Sequence, residues 1–311
     1  MYGVNMECSK TIPLISVVMP SFNSKRHIEE SINSLYEQSN NNWELIVVDG
    51  HSTDGTLDII ESYIQKDERI KLVFDNGKGI GEASKIGCSY CVGKYIARMD
   101  TDDISMPNRL EEELTYLEKH PKTVMVSSSA IYINENGDII GCGFPYRHNY
   151  GSKYFKKSIF HSSIMMRKDA YEKAGGYFGV RHAEDLFLWY RLQKTGNIKV
   201  LSTPLIKYRI AEGALSNYVG DFINIHTHYL WLFYSRKERI SENDISYINS
   251  LILENRSNTQ IERNPVNKTE NLLFKILNGF MPKSFALKLM LCLKDVYGVY
   301  KAVFYKEIIE S

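Results

Sequence analysis

Three aspartates within four residues are the strongest chemical signal in this sequence. Asp100, Asp102 and Asp103 directly follow residues 95–99, an apolar run with the composition of a buried strand. Carboxylates this close repel one another unless a cation lies among them. Mg²⁺ and Mn²⁺ suit such oxygen ligands and often complete their coordination with water and substrate phosphates. Taken alone, the cluster is equally compatible with an acidic loop that caps the helix predicted from Pro107.

Polar residues also follow the first two predicted strands. Pro20, Ser21 and Asn23 come after the first apolar run, and Asp49 ends the second. Ligands of open α/β sheets bind at the carboxyl ends of the strands. We therefore expect these residues and the aspartate cluster to meet at one edge of a sheet. His51 lies nearby in the sequence, but a loop histidine without an evident partner is interpreted as a bystander rather than a catalytic base.

The elements that would position these residues alternate between strand and helix in the first half of the chain. Apolar strands separated by helices predict an α/β fold with a parallel sheet covered by helices. The predicted strands are at residues 15–19, 45–48, 71–74, 95–99 and 123–128, and the predicted helices are at residues 25–38, 56–66, 81–91 and 107–119.

The pattern changes to α+β between residue 131 and about residue 210, and it indicates helices beyond about residue 215. Asn136-Gly137 is a strong hairpin-turn signal. A strand is predicted at residues 163–167, with helices at residues 168–174 and 184–195. We therefore divide the chain into a domain at residues 1–214, with halves at about 13–128 and 129–214, and a helical C-terminal extension at residues 215–311.

The net charge, the cysteines and the distribution of apolar residues limit the classes of protein to which this chain could belong. The net charge is +1, so no bulk electrostatic attraction to nucleic acid is expected. Cys88 and Cys91 are a lone C-x-x-C pair among five cysteines, which supports neither a zinc site nor a disulfide framework and fits a reducing, cytoplasmic location. Residues 1–12 show no basic segment followed by an apolar one, so no secretory signal is expected, and no apolar run reaches the roughly 18 residues of a membrane-spanning helix.

Four motifs occur in order, namely Pro20-Ser21-Phe22-Asn23, Asp49-Gly50-His51-Ser52, Asp100-Thr101-Asp102-Asp103 and Glu184-Asp185. Together they resemble the family-2 glycosyltransferases with the GT-A fold, a Rossmann-like domain that uses nucleotide-diphosphate sugars. The resemblance covers roughly residues 13–212. It implies an inverting transfer from a UDP-sugar to a hydroxyl of a glycan or lipid-linked acceptor, assisted by Mn²⁺ or Mg²⁺, in cell-surface polysaccharide synthesis.

The resemblance assigns the first two motifs to the nucleotide. Backbone groups near Pro20 and Ser21, with Asn23 beside them, would hold the base and the ribose. Asp49 would accept a hydrogen bond from the uracil ring, because a carboxylate matches a base N–H.

Two further groups would complete the donor site in that family. Lys78 or Lys85 would replace an arginine that many relatives carry near position 84, although lysine is a point charge without the bidentate geometry of arginine. Asp102 would lie near the ribose and the metal. Asp103 would bind the metal that bridges the diphosphate, with Asp100 as the third member of the cluster.

The resemblance places the proton transfer at Asp185. At a helix start this carboxylate would be ionised, and it would take the proton of the acceptor hydroxyl as that oxygen attacks the anomeric carbon. Glu184 and His161 would lie on the acceptor side. The alternatives are that Glu184 and Asp185 only cap the helix and that His161 only caps a strand. Arg209 would either contact phosphate or form a salt bridge within the domain.

The C-terminal tail indicates attachment rather than chemistry. Residues 284–306 are largely apolar, with a narrow lysine-rich stripe at helical spacing. Such a helix packs on the catalytic domain or a second subunit, or it lies on a membrane surface, here the inner face. We expect this role for the chain from about Phe280 onward.

Two other functions stand beside the transferase. One is a catalytically degenerate module that binds nucleotide or scaffolds a complex. The other is a nucleotidyltransferase, which would need a glycine-rich basic loop after the first strand, where this chain has Pro20-Ser21-Phe22-Asn23. The donor sugar and the acceptor depend on loop shape, so the motifs do not identify them.

Overall fold

A nine-stranded sheet forms the centre of the computed structural model, which describes residues 12–143, 159–178 and 184–210. The strands are β1 (Ile15–Ser21), β2 (Trp43–Asp49), β3 (Ile70–Phe74), β4 (Tyr95–Arg98), β5 (Ile104–Ser105), β6 (Thr123–Ile133), β7 (Ile139–Gly143), β8 (Met165–Arg167) and β9 (Asn197–Arg209). The helices are α1 (Ile28–Tyr36), α2 (Thr56–Ile64), α3 (Ile80–Tyr90), α4 (Arg109–Lys119), α5 (Lys168–Lys173) and α6 (Glu184–Leu192). The strand order is β3-β2-β1-β4-β8-β6-β9-β5, and β7 pairs with β6.

The first four strands confirm the predicted parallel sheet. β1 pairs in parallel with β2 and β4, and β2 pairs in parallel with β3. Successive residues of a strand face opposite sides of a sheet, so Val17 joins one apolar core whereas Val18 and Ile46 join another. Burial on both faces is the reason β1, β2 and β4 are largely apolar.

The rest of the sheet is mixed: the strand predicted at residues 123–128 is present in β6 and runs in the same direction as β4, but an antiparallel strand separates the two. β8 lies between β4 and β6 and runs antiparallel to both. An antiparallel strand begins where its neighbour ends. The turn of 3-10 helix at His161–Ser163, just before β8, therefore lies beside the end of β4, and the Ser162 hydroxyl accepts a hydrogen bond from the Asp100 N–H (3.2 Å).

One long strand was not predicted, and another begins later than expected. β9 is 13 residues long and pairs in parallel with β6. Its lysines, serine, threonine and proline give a weak strand signal, so the pairing with β6 decides its conformation. β8 begins at Met165 rather than at residue 163, because the preceding residues form the 3-10 turn.

The first helix begins later than the predicted residue 25, and neither Asn23 nor Ser24 caps it. α1 begins at Ile28, and its N-cap residue, His27, makes no side-chain cap hydrogen bond. The Ser24 carbonyl accepts hydrogen bonds from the N–H groups of His27 (3.1 Å) and Ile28 (3.0 Å), which forms a turn before the helix.

The predicted hairpin is confirmed. The Asn134 side-chain carbonyl accepts hydrogen bonds from the N–H groups of Asn136 and Asp138, both at 2.9 Å. Gly137 has a φ of 82°, a conformation that glycine adopts without strain. This hairpin connects β6 to β7.

The predicted C-terminal extension and the tail from Phe280 lie outside the described residues. Within the described ranges, no helix is long and apolar enough to cross a membrane. The division of the domain into halves stays a prediction.

Candidate functional site

The loops after β1 and β2 are joined through Ser52. The Ser52 N–H donates to Asp49 Oδ1 and its hydroxyl donates to Asp49 Oδ2, both at 2.7 Å, and Asp49 is fully buried. The same hydroxyl accepts a hydrogen bond from the Asn23 N–H (2.7 Å), and Asn23 Oδ1 accepts one from the Thr53 N–H (3.0 Å). The turn after β2 therefore already satisfies the Asp49 carboxylate.

The other predicted nucleotide residues lie on the same side of the sheet. Pro20 and Ser21 are the last two residues of β1, and the buried Ser21 hydroxyl has no hydrogen-bond partner among the described residues. Lys78 and Lys85, just before and within α3, are exposed. Their roles and those of Asn23 and Asp49 stay predictions.

His51 has structural partners that agree with its interpretation as a bystander. Its ring stacks on Phe74 with centroids 5.2 Å apart, and its Nε2 lies 3.1 Å from the Asp75 carbonyl oxygen.

The aspartate cluster is assembled at the end of β4. Side-chain oxygens of Asp100, Asp102 and Asp103 lie within 4.8 Å of one another. Asp103 is buried, and its Oδ1 accepts a hydrogen bond from the Arg209 N–H (2.8 Å). Its Oδ2 is also buried but makes no hydrogen bond of acceptable geometry within the described ranges.

The electrostatics of this cluster favour a cation. Burial and the neighbouring carboxylates of Asp102 and Asp100 hold the pKa of Asp103 well above its ordinary value. Burial and Asp100 raise the pKa of Asp102 to about 6. A divalent metal ion would supply the missing positive charge and a partner for the bare Asp103 oxygen. The residues therefore fit Mg²⁺ or Mn²⁺, both of which prefer carboxylate oxygens.

Arg209 holds the loop that carries the cluster. Its Nε donates to the Asp102 carbonyl (2.8 Å), and its Nη1 donates to the carbonyls of Asn134 (2.9 Å) and Glu135 (3.1 Å). Its Nη2 pairs with Glu30 at 2.6 Å, and the side chain is 1% exposed. Of the two roles left open for Arg209, the salt bridge within the domain is present, and no edge of the guanidinium is exposed to a phosphate in this conformation.

The two residues predicted for the acceptor side, His161 and Glu184, lie close together in a largely buried position. His161 Nε2 lies 2.6 Å from the Tyr177 hydroxyl, and His161 Nδ1 lies 3.5 Å from Glu184 Oε1. Burial, with a contribution from the positive charge of Arg98, lowers the pKa of His161 well below its ordinary value. The neutral ring would accept a hydrogen bond from Tyr177 and donate its Nδ1–H toward Glu184.

The two acidic residues at the start of α6 differ in exposure. Glu184 is buried, and burial together with the Asp185 charge raises its pKa to about 8. Asp185 is partly exposed. This difference leaves Asp185 the more accessible carboxylate for a substrate, and its role as base stays a prediction.

Two residues of this region were not identified from the sequence. Arg98 in β4 is 2% exposed and forms an ion pair with Asp100. An arginine inside an apolar run directly before an acidic cluster is the signal that could have found it. Tyr177, next to Gly175-Gly176, is the partner of His161 and carried no clear signal.

Comparison with known proteins identifies the family. Residues 16–175 match the family described as glycosyl transferase family 2. The chain is 39% identical over 189 residues to EpsE of Bacillus subtilis (strain 168), covering 59% of this chain and 68% of EpsE. It is 30% identical over 207 residues to the Escherichia coli UDP-Glc:alpha-D-GlcNAc-diphosphoundecaprenol beta-1,3-glucosyltransferase WfgD, covering 66% of this chain and 80% of WfgD.

A solved structure shows the same fold. The complex of S. aureus TarS 1-349 with UDP-GlcNAc has a TM-score of 0.54 and 19% identity, covering 85% of this chain and 80% of that chain. The likeness agrees with a GT-A domain built on the mixed sheet described above. The chain therefore belongs to glycosyl transferase family 2, and it is a glycosyltransferase.

Proposed function

We propose that this glycosyltransferase moves a sugar from a UDP-sugar to a hydroxyl of a glycan or lipid-linked acceptor, with inversion and with Mn²⁺ or Mg²⁺, in polysaccharide synthesis. The observation that carries the proposal is the crowded cluster of Asp100, Asp102 and Asp103, whose buried Asp103 oxygen lacks a partner among the described residues. The name of WfgD, which specifies a UDP-glucose donor and a diphosphoundecaprenol-linked acceptor, supports the donor and acceptor classes.

The residues around the cluster would hold the donor. Asp102 and Asp103, with Asp100 beside them, would bind a metal ion, which when bound neutralises charge on the leaving diphosphate. Pro20, Ser21 and the turn at Asp49 would hold the nucleoside. Since Asp49 is buried, its contact with a base requires a shift of the surrounding turn.

Asp185 would act as the general base. Its carboxylate takes the proton from the acceptor hydroxyl, the acceptor oxygen forms a bond to the anomeric carbon, and the bond from that carbon to the diphosphate oxygen breaks. Attack opposite the leaving group inverts the configuration, and the nucleoside diphosphate leaves with the electron pair of the broken bond. Buried Glu184 and His161 would support the first turn of α6 on the acceptor side.

Calorimetry tests the donor site. UDP should bind the wild-type protein in the presence of Mn²⁺, and EDTA or Asp103→Asn should weaken binding by about tenfold or more, the lower end of the effect of disturbing a metal site. Asp58→Asn, at an exposed position of α2, is the matched control and should leave binding unchanged. Equal affinity with EDTA or with Asp103→Asn would sink the metal-dependent donor site.

Turnover separates the alternative functions. With Mn²⁺ and a panel of sugar nucleotides, a glycosyltransferase should slowly hydrolyse its donor. A degenerate binding module would bind UDP without hydrolysis. A nucleotidyltransferase would instead release pyrophosphate from a nucleoside triphosphate and a sugar phosphate.

A further inference from the structure

We propose, on the basis of the transfer reaction proposed above, that Arg98 is a positioning residue that fixes the aspartate cluster and the start of α6 relative to each other. Arg98 is the last residue of β4 and lies where the donor and acceptor sides of the site meet. It is not predicted to touch either substrate. Its effect would pass through Asp100 on one side and Glu184 on the other.

The backbone of Arg98 is held from two directions. Its N–H donates to the Ile164 carbonyl (3.0 Å), next to the 3-10 turn that carries His161. Its carbonyl accepts a hydrogen bond from Arg109 Nη2 (2.7 Å) of α4. The side chain therefore extends from a fixed base, and Nη1 forms the ion pair with Asp100.

The charge of Arg98 acts on groups from several elements. Asp100 and Asp102 follow β4, Glu184 begins α6, and His161 and Tyr177 lie between β7 and α6; each of these groups interacts electrostatically with the guanidinium. Burial by itself lowers the pKa of Arg98, but Asp100, Tyr177 and Glu184 raise it above its ordinary value. The Arg98 charge thus pairs directly with Asp100 and also influences buried groups on the other side of the site.

The other buried arginines have partners that explain them within the fold. Arg109 pairs with Glu113 and Arg209 pairs with Glu30. Arg191 donates to the carbonyls of Ala174 and Gly176, after α5, and of Phe187, within α6. Arg98 differs, because its ion-pair partner belongs to the aspartate cluster, and among the described residues neither its buried Nε nor its Nη1 makes a hydrogen bond of acceptable geometry besides that ion pair. A buried cation costs several kcal/mol unless it is well compensated, so stability alone explains Arg98 poorly.

A positioning role follows from what the transfer requires. The anomeric carbon must lie between the diphosphate at the cluster and the acceptor oxygen at Asp185, and a misplacement of about 1 Å can cost about 10²-fold in rate. Glu184 directly precedes Asp185 in α6. The Arg98–Asp100 ion pair, together with the hydrogen bond from the Arg98 backbone to Ile164 beside the turn that carries His161 and its neighbour Glu184, would set that separation.

The test is Arg98→Met, which keeps the length and removes the charge. In hydrolysis of UDP-GlcNAc with Mn²⁺, we expect kcat to fall at least about tenfold, with the donor KM within about threefold because the nucleoside contacts are remote. Arg69→Met is the matched control, because Arg69 pairs with Asp67 just before β3, at the opposite edge of the sheet, and should keep native kinetics.

A double-mutant cycle shows whether Arg98 acts through Glu184. Arg98→Met combined with Glu184→Gln should lose little more kcat than the more damaging single change, since coupled residues give non-additive effects. Additive losses would overturn the coupling. Should Arg98→Met fail to fold, Arg98→Gln removes the charge but keeps a polar side chain, and the same kinetic criteria apply to it.

Nitrogen NMR of the His161 ring gives a readout independent of turnover. We expect its signals, assigned by comparison with His161→Gln, to shift in Arg98→Met and not in Arg69→Met. Native kcat or unshifted His161 signals in Arg98→Met, or a rise in KM alone, would overturn the proposal. If the wild-type protein hydrolysed no sugar nucleotide, the proposed function would fail and the role of Arg98 with it. If the wild-type protein were active but the Arg98 variants did not behave as expected, only the positioning role of Arg98 would be rejected.

Discussion

The carboxyl ends of β2 and β4 lie at the same edge of one sheet, and each is followed or ended by a buried carboxylate. The hydrogen bonding of these two carboxylates is very different. At β2, both oxygens of Asp49 accept hydrogen bonds from Ser52, three residues later. At β4, Asp103 receives one hydrogen bond from Arg209, 106 residues later, and its other oxygen has no partner in the described ranges. Asp100 and Asp102 add further negative charge beside it.

The difference separates a carboxylate that shapes a loop from one that needs a ligand. A buried polar group without a partner costs about 1–3 kcal/mol. The fold tolerates that cost at Asp103 and avoids it at Asp49. We infer that a bound cation offsets the cost at β4, whereas the Asp49 turn is already complete without one.

The largest expected effect is on turnover, and it concerns Asp185, the proposed base opposite the aspartate cluster. Asp185→Asn should lower kcat by about 10²-fold or more, about 2.7 kcal/mol of transition-state stabilisation, with UDP affinity within about threefold of wild type. Asp169→Asn is the matched control, since Asp169 is an exposed aspartate in the first turn of α5. Equal small losses in the two variants would show that Asp185 only caps its helix. A product that retains the donor configuration would also exclude the inverting role.

Stability measurements should give opposite signs at the two strand ends. In urea unfolding with EDTA at pH 8, Asp49→Asn should lower the free energy of unfolding by about 1–3 kcal/mol, because it weakens charge-assisted hydrogen bonds from Ser52. Asp103→Asn should raise it by about 1 kcal/mol, because it removes one of three crowded negative charges. Ser52→Ala should resemble Asp49→Asn. Changes of the same sign in the free energy of unfolding for Asp49→Asn and Asp103→Asn would contradict the proposed difference between the two carboxylates.

The smallest effect concerns the pH dependence of stability beside β4. Burial keeps the pKa of His161 well below its ordinary value, near 6.5 in the unfolded chain. The unfolded chain therefore binds the proton more readily, so stability present above pH 6.5 is lost as the pH falls. His161→Gln should reduce this loss by roughly 1 kcal/mol at pH 6. Parallel stability curves for the two proteins between pH 7 and 5.5 would contradict it.

Local patterns predicted much of the fold. The alternation of apolar strands and helices identified β1 to β4 and α1 to α4, because each signal lies within one element. The direction of β8 and the existence of β9 were missed. A short strand that is apolar on both faces carries no mark of direction, and the pairing that stabilises β9 lies on β6, distant in the sequence.

The same limit applies to the site. Asp100, Asp102 and Asp103 are neighbours in sequence, so their spacing alone indicated a cluster. Arg209 could not be assigned a single role because its partners, including Glu30, lie far away in the sequence. Arg98 was overlooked because its significance depends on groups brought together by the fold.

The hydrogen bond between Asp103 and Arg209 has a consequence for synthesis of the protein. A ribosome adds roughly 5–20 residues per second, so the 106 residues between donor and acceptor take roughly 5–20 seconds to translate. During that interval the acidic loop has been made but the strand that anchors it has not. A nascent chain can therefore complete its acidic loop only after Arg209 has left the exit tunnel, late in the folding of this domain.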